Sequence, residues 1–249
     1  MDRSGRSYFH NNLCGWLVSK AAPIAIGVHR PIGLHGVLVA AALLASAPAR
    51  AGTEDAKTTI DFVQHAPLAD DFEFLPAATQ LPWTLIEDTT AAGGVALEQR
   101  GTPTNANHSL AVYKPVSVKD AEISLRIKAT GGEEDQGGGI ALRLTAPDSY
   151  YLVEMDARRD RIAFLRVANG SAEEIVAVDA DIATNAWHKL TVRAVDDEFV
   201  VSLDGAWAFT AFDKALSRAG RVALWTATDS VTRFDSLAIA PPSPSAQHW

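Results

Sequence analysis

Glu154-Met155-Asp156 places two carboxylates on alternate residues of a segment that reads as a strand, and alternate strand residues share a face. Two such groups can cut a glycosidic bond with retention when about 5 to 5.5 Å separates them, one as nucleophile and one as acid/base. Glu154 and Asp156 are therefore the catalytic candidates. Where a further acid would extend the face, Arg158 and Arg159 stand instead. An arginine stays protonated and shuttles no proton. The plainer reading is a solvated strand face whose Glu154 and Asp156 are balanced by Arg143 or Arg166.

Binding needs less than catalysis. An aromatic ring offers apolar area and a polar edge together, so Tyr150, Trp187, Trp207 and Trp225 could each stack on a ligand or pack in a core. The ligand face expected from the residues is Arg143, Tyr150, Glu154 and Asp156, with Trp225 exposed at its rim beside Asp229. Asp70, Asp71, Asp229 and Asp235 lie near the two ends of the chain's structured part, and carboxylates suit a structural Ca²⁺; no other cofactor is expected. His65, His108, His188 and His248 lack zinc-like spacing, and His188 reads as a surface strand residue. There is no Gly-x-Ser-x-Gly elbow, P-loop or dinucleotide fingerprint. Gly137-Gly138-Gly139 enters a strand, whereas a phosphate cradle needs a helix.

These residues sit in a succession of period-two patterns. Ala121, Ile123, Leu125 and Ile127 alternate with Glu122, Ser124, Arg126 and Lys128, the signature of a sheet with one solvated side. Ile140, Leu142 and Leu144 alternate with Ala141, Arg143 and Thr145. Tyr151, Val153 and Met155 alternate with Tyr150, Glu154 and Asp156, and Leu152 is the apolar exception. Asn169-Gly170 and Asp204-Gly205 are two-residue hairpin turns. Further strands are expected at 69–74, 82–87, 95–99, 109–113, 162–167, 174–178, 187–193, 199–203, 206–209, 221–226 and 232–240, with one helical turn at 214–218. A dozen or more strands without a long helical period predict an all-β, two-sheet antiparallel sandwich or jelly roll.

Ahead of this domain, 33–47 is apolar, too short for a membrane span, and followed by Pro48 and Ala49-Arg50-Ala51. That pattern predicts a signal peptide over 1–51, with an unusually long leading region, and export to the periplasm or beyond. A flexible entry (52–67), the β domain (68–240) and a Pro-rich tail (241–249) come after it. The 249 residues carry a net charge of −8. Without 1–51 there remain 17 basic against 29 acidic side chains, a net of −12, a field that argues against nucleic-acid partners and anionic membranes. The single cysteine, Cys14, goes with that segment, so the domain must stand on its core rather than on disulfides.

Asp135-Gln136-Gly137-Gly138-Gly139-Ile140, Ser149-Tyr150-Tyr151, Arg166-Val167-Ala168-Asn169-Gly170, Trp187-His188-Lys189-Leu190 and Asp204-Gly205 lead to the most specific block, 220–226 with 229–235. In this order they resemble secreted bacterial concanavalin A-like, laminin-G-like domains, in particular the branch related to 3-keto-disaccharide hydrolases and family 16. The resemblance covers 68–240 and implies a jelly roll, export, and carbohydrate as ligand. Family-16 glucanases carry Glu-x-Asp-x-Glu or Glu-x-Asp-x-x-Glu on one strand; this chain matches Glu154 and Asp156 and departs at the third acid. Three functions stay open: a non-catalytic domain binding carbohydrate or another envelope ligand, a glycoside hydrolase, and a structural envelope protein.

Overall fold

The computed structural model describes residues 57–62, 68–76, 83–101 and 108–244; the expected signal peptide and most of the Pro-rich tail lie outside them. The strands are β1 (Thr58–Asp61), β2 (Phe72–Leu75), β3 (Trp83–Glu87), β4 (Val95–Arg100), β5 (His108–Val118), β6 (Ala121–Gly131), β7 (Gly137–Ala146) and β8 (Ser149–Asp156). They continue with β9 (Arg161–Ala168), β10 (Ser171–Asp179), β11 (His188–Val195), β12 (Glu198–Leu203), β13 (Ala206–Phe212), β14 (Gly220–Ala227) and β15 (Val231–Ala240). One helical turn, α1 (Leu68–Asp71), precedes β2.

Two antiparallel sheets form a jelly-roll sandwich. One runs β13-β12-β11-β6-β15-β4-β3 with β1 paired to β15, and the other runs β10-β9-β8-β7-β14-β5-β2. Ile123, Leu125, Ile127, Leu190, Val192, Phe199, Phe234 and Leu237 from the first sheet meet Ile140, Leu142, Tyr151, Val153, Met155, Phe164, Val222 and Leu224 from the second. Period-two alternation therefore builds this core on both sides, as expected. The two hairpin turns form too, with Asn169-Gly170 and Asp204-Gly205 at positive φ throughout, the backbone a type I′ turn requires.

Three expectations are corrected. The entry segment contains β1, which pairs with β15 from Thr58↔Ile239 to Asp61↔Ser236 and buries Ile60 and Phe62 in the core. The helical turn at 214–218 does not form; that segment is an irregular connection to β14. The alternation of β7 breaks at Arg143, which sits at φ 50° where the β7–β8 register slips between Leu142 and Ala146. A bulge inserts one residue and reverses the facing of the strand beyond it. Arg143 accordingly turns inward and Leu144 outward.

Candidate functional site

The two sheets differ on their outer faces. On the eight-stranded sheet the outer face is ionic. Lys128 Nζ donates to Asp88 Oδ2 at 2.5 Å and to Thr90 Oγ1 at 2.9 Å, and Arg233 binds Asp88 at 3.0 Å and Glu98 at 2.8 Å. Burial alone would raise the Asp88 carboxyl, but bonds from Lys128, Thr90 and Arg233 outweigh it and hold it well below the usual carboxylate range. Trp187 lies under the Arg126 and Lys128 cations at 5.1 and 4.7 Å and donates its indole N–H to Thr90 Oγ1 at 2.9 Å. Cation–π contacts and ion pairs here close the β3–β4 loop onto the sheet.

The outer face of the seven-stranded sheet is apolar, contrary to the solvated face expected. Leu110, Val112, Ala141, Leu144, Tyr150, Leu152, Val167, Ala223, Trp225 and Ala227 form a second buried cluster, separate from the core. Leu152, the exception in the sequence pattern, belongs to it. Opposed residues share a face, and the pairings Glu154↔Gly139↔Trp225↔Leu110 set four strands side by side in one row. Glu154 and Trp225 thus flank Gly139 across two strand spacings, about 10 Å. A Cβ at Gly139 would meet the Val153 carbonyl oxygen at 2.1 Å, so only glycine fits there.

His108 bridges the two aromatic residues. Its Nε2 lies 3.2 Å from the Tyr150 hydroxyl, and its ring stacks on Trp225 with centroids 6.3 Å apart. Burial lowers the His108 pKa, favouring the neutral ring, and pushes the Tyr150 phenol up to about 12. The Trp225 indole N–H offsets part of the Tyr150 rise, and among the described residues it is buried with no hydrogen-bond acceptor in reach of a formed bond. Trp225, expected at an exposed rim, is 8% exposed, and Tyr150 is 1% exposed.

Glu154 is half-buried beside this cluster. Among the described residues its carboxyl has no hydrogen bond or ion pair. Burial first, then the Asp156 and Asp135 charges, push its pKa up to about 7. Asp156 shares the face but is committed: Oδ1 accepts from Arg158 N at 2.9 Å and Arg159 N at 3.2 Å, and Oδ2 binds Arg159 Nη1 at 2.5 Å. It caps the β8–β9 turn, with Arg159 also reaching Asp135 at 2.9 Å. The arginine that departs from the family-16 pattern thus occupies the carboxylate that would have helped Glu154.

Arg143 does not join the face. Its guanidinium, 1% exposed, lies inside one end of the sandwich. It donates to the carbonyls of Lys119 (3.0 Å), Leu216 (3.2 Å) and Asp196 (2.6 Å). The expected calcium ligands are not gathered either. Asp70 and Asp71 stand in α1. Asp229 accepts from the N–H groups of Glu133, Glu134 and Asp135 at 2.6, 2.8 and 2.8 Å. Asp235, on the ionic face, binds Arg126 at 2.5 Å and Ala92 N at 2.9 Å. No group of three metal-ligating side chains occurs among the described residues. His188, expected at the surface, is buried between Asp204 Oδ2 (2.8 Å) and the Ala183 carbonyl (3.0 Å). Trp207 is 67% exposed at the β13 edge. His108, passed over for want of spacing to another histidine, was findable only through strand pairing.

No family model and no curated protein matches the sequence, so the resemblance to the 3-keto-disaccharide hydrolase branch is met only at the level of fold. The carbohydrate binding module CBM66 from Bacillus subtilis superposes with a TM-score of 0.53 at 22% identity, covering 66% of this chain and 93% of that one. A Bacteroides ovatus mixed-linkage glucan family-16 protein in complex with a product gives 0.52 at 10%, covering 73% and 99%. A β-1,3-1,4-glucanase from a mouse hindgut metagenome gives 0.51 at 10%, covering 74% and 99%. At these identities the likeness is one of fold.

Proposed function

We propose that this protein binds carbohydrate, without cleaving it, on the outer face of its seven-stranded sheet. The observation that carries the reading is the row Glu154–Gly139–Trp225: an unpaired carboxyl and an unpaired indole N–H flank a bare glycine on an otherwise apolar face. An apolar floor with a few unmatched polar groups is the composition of a small-ligand site, and a buried donor without a partner calls for one. A sugar supplies both halves, hydroxyls for Glu154 and Trp225 and C–H faces for the rings. A Glu154 held near neutrality can donate as well as accept. The sandwich neighbours include a carbohydrate binding module, which supports the same ligand class. The protein would act after export, on a glycan of the periplasm or cell surface.

The test is a glycan-array screen of the full chain, with calcium and again with chelator, followed by titration of Glu154→Gln and Trp225→Phe. The expected result is a chelator-insensitive hit that each variant weakens by about tenfold, the worth of one charge-assisted or buried hydrogen bond. A blank array, or two variants binding as tightly as the parent, overturns the reading.

A pKa near 7 also suits a general acid, which favours glycoside hydrolysis as the second reading, the oxidised disaccharides of the resembling branch among its substrates. It lacks a partner, since Asp156 is bound to Arg159. Sugar release from a panel of plain and 3-keto oligosaccharides, abolished in Glu154→Gln, would establish it in place of binding alone.

A further inference from the structure

A cleft of about 430 Å³ opens at one end of the sandwich, lined by Arg143, Thr145, Ser149, Ala215, Leu216, Ser217 and Arg218. Two arginines and three hydroxyl-bearing residues line it, and no lining residue is acidic, in a chain of net charge −8. Arg143 is a buried cation whose polar partners are mainly carbonyl dipoles; its one carboxylate contact among the described residues, Asp120 Oδ1, is long at 3.4 Å. Burial lowers its pKa against the pull of Asp120, Tyr151, Asp196 and Asp197, and a buried charge so thinly paired is costly. Arg218 is exposed and has no ion pair among the described residues. Arg143 reaches the cleft only because the β7 bulge turns it inward, and non-glycine residues at positive φ cluster at functional sites.

Thr145 and Ser149 neighbour Leu144 and Tyr150 in the β7–β8 hairpin, so the cleft lies at the hairpin end of the strands that carry the apolar face. We infer that this cleft is an oxyanion subsite that takes the carboxylate of an acidic sugar. Arg218 and the buried Arg143 supply the charge, and Thr145, Ser149 and Ser217 supply hydroxyl donors. The inference rests on the carbohydrate reading for its ligand, and gives it a substrate class: uronate-containing glycans over neutral ones.

The experiment follows backbone amide shifts of the full chain in NMR titrations with methyl glucuronide and methyl glucoside. The expected result is saturable shifts at 145–149 and 215–218 with the glucuronide alone, reversed by competing sulfate and weakened about fivefold in Arg218→Gln, as one exposed charge pair allows. Arg218 is exposed, so that variant folds. Equal shifts with both sugars, no shifts, or an unchanged affinity in Arg218→Gln overturns the inference. Failure of the sheet-face reading shows separately, as absence of neutral oligosaccharide binding along β8 and β14.

Discussion

Glu154 is central to the proposed site, and its proton is measurable. A carboxyl near 4.5 when unfolded and near 7 when folded keeps, in the native chain, a proton that the unfolded chain releases. Stability therefore falls as pH rises from about 4.5 to 7 and is level beyond. Glu154→Gln should flatten that slope, gaining stability at pH 8 and little at pH 4.5. Urea midpoints across this range will check it, and a parent slope retained in the variant would place the proton elsewhere. Arg143 is the opposite case, a charge the fold cannot lose. Arg143→Met strands three carbonyls and should cost about 3 to 5 kcal/mol, the toll of breaking a buried polar set from one side, read from the same denaturation. A loss under about 1 kcal/mol would mean that water replaces it. Facing was legible for Glu154 and Tyr150, where alternation is regular. It was not legible for Arg143, because nothing in IALRLTA marks the residue that bulges, and the pattern remains apolar on either side of it.

The strands were readable for the same reason, and the relations between them were not. Tyr150, Glu154 and Trp225 come to one face through β14 inserting between β7 and β5, an order that no local pattern encodes. The runs YYLVEM, RIAFLRV and VALWTA did carry a sign that their sheet is apolar on both sides: they are nearly continuous in apolar residues, as doubly covered strands are. The β7 bulge has its own support in β14. A Cβ on Gly220 would stand 2.4 Å from the backbone carbon of Arg143 and 2.6 Å from Leu144 N, atoms that cannot swing aside. Gly220→Ala should thus destabilise the protein by about 1 to 3 kcal/mol, the usual toll of overpacking. It should also loosen amide-exchange protection around 141–146 before other segments. Protection lost uniformly along the chain would contradict a local role for Gly220.

For the molecule as a whole, contacts are distant in sequence: β1 closes on β15, β4 on β15 and β2 on β5. Loops must close before such pairs repay their entropy, and refolding should take milliseconds to seconds. Stopped-flow fluorescence from the tryptophans reads it, and completion within microseconds would contradict this topology. The ionic outer face of the eight-stranded sheet, where Lys128, Arg233, Asp88 and Glu98 interlock, carries a further consequence. Hydration of charged groups loses strength on warming, whereas the gain from burying apolar area levels off. The two flanks of this sandwich accordingly answer heat differently. As temperature climbs, the charged flank that closes the β3–β4 loop takes a growing share of the protein's cohesion, and the aromatic flank proposed for sugars a shrinking one.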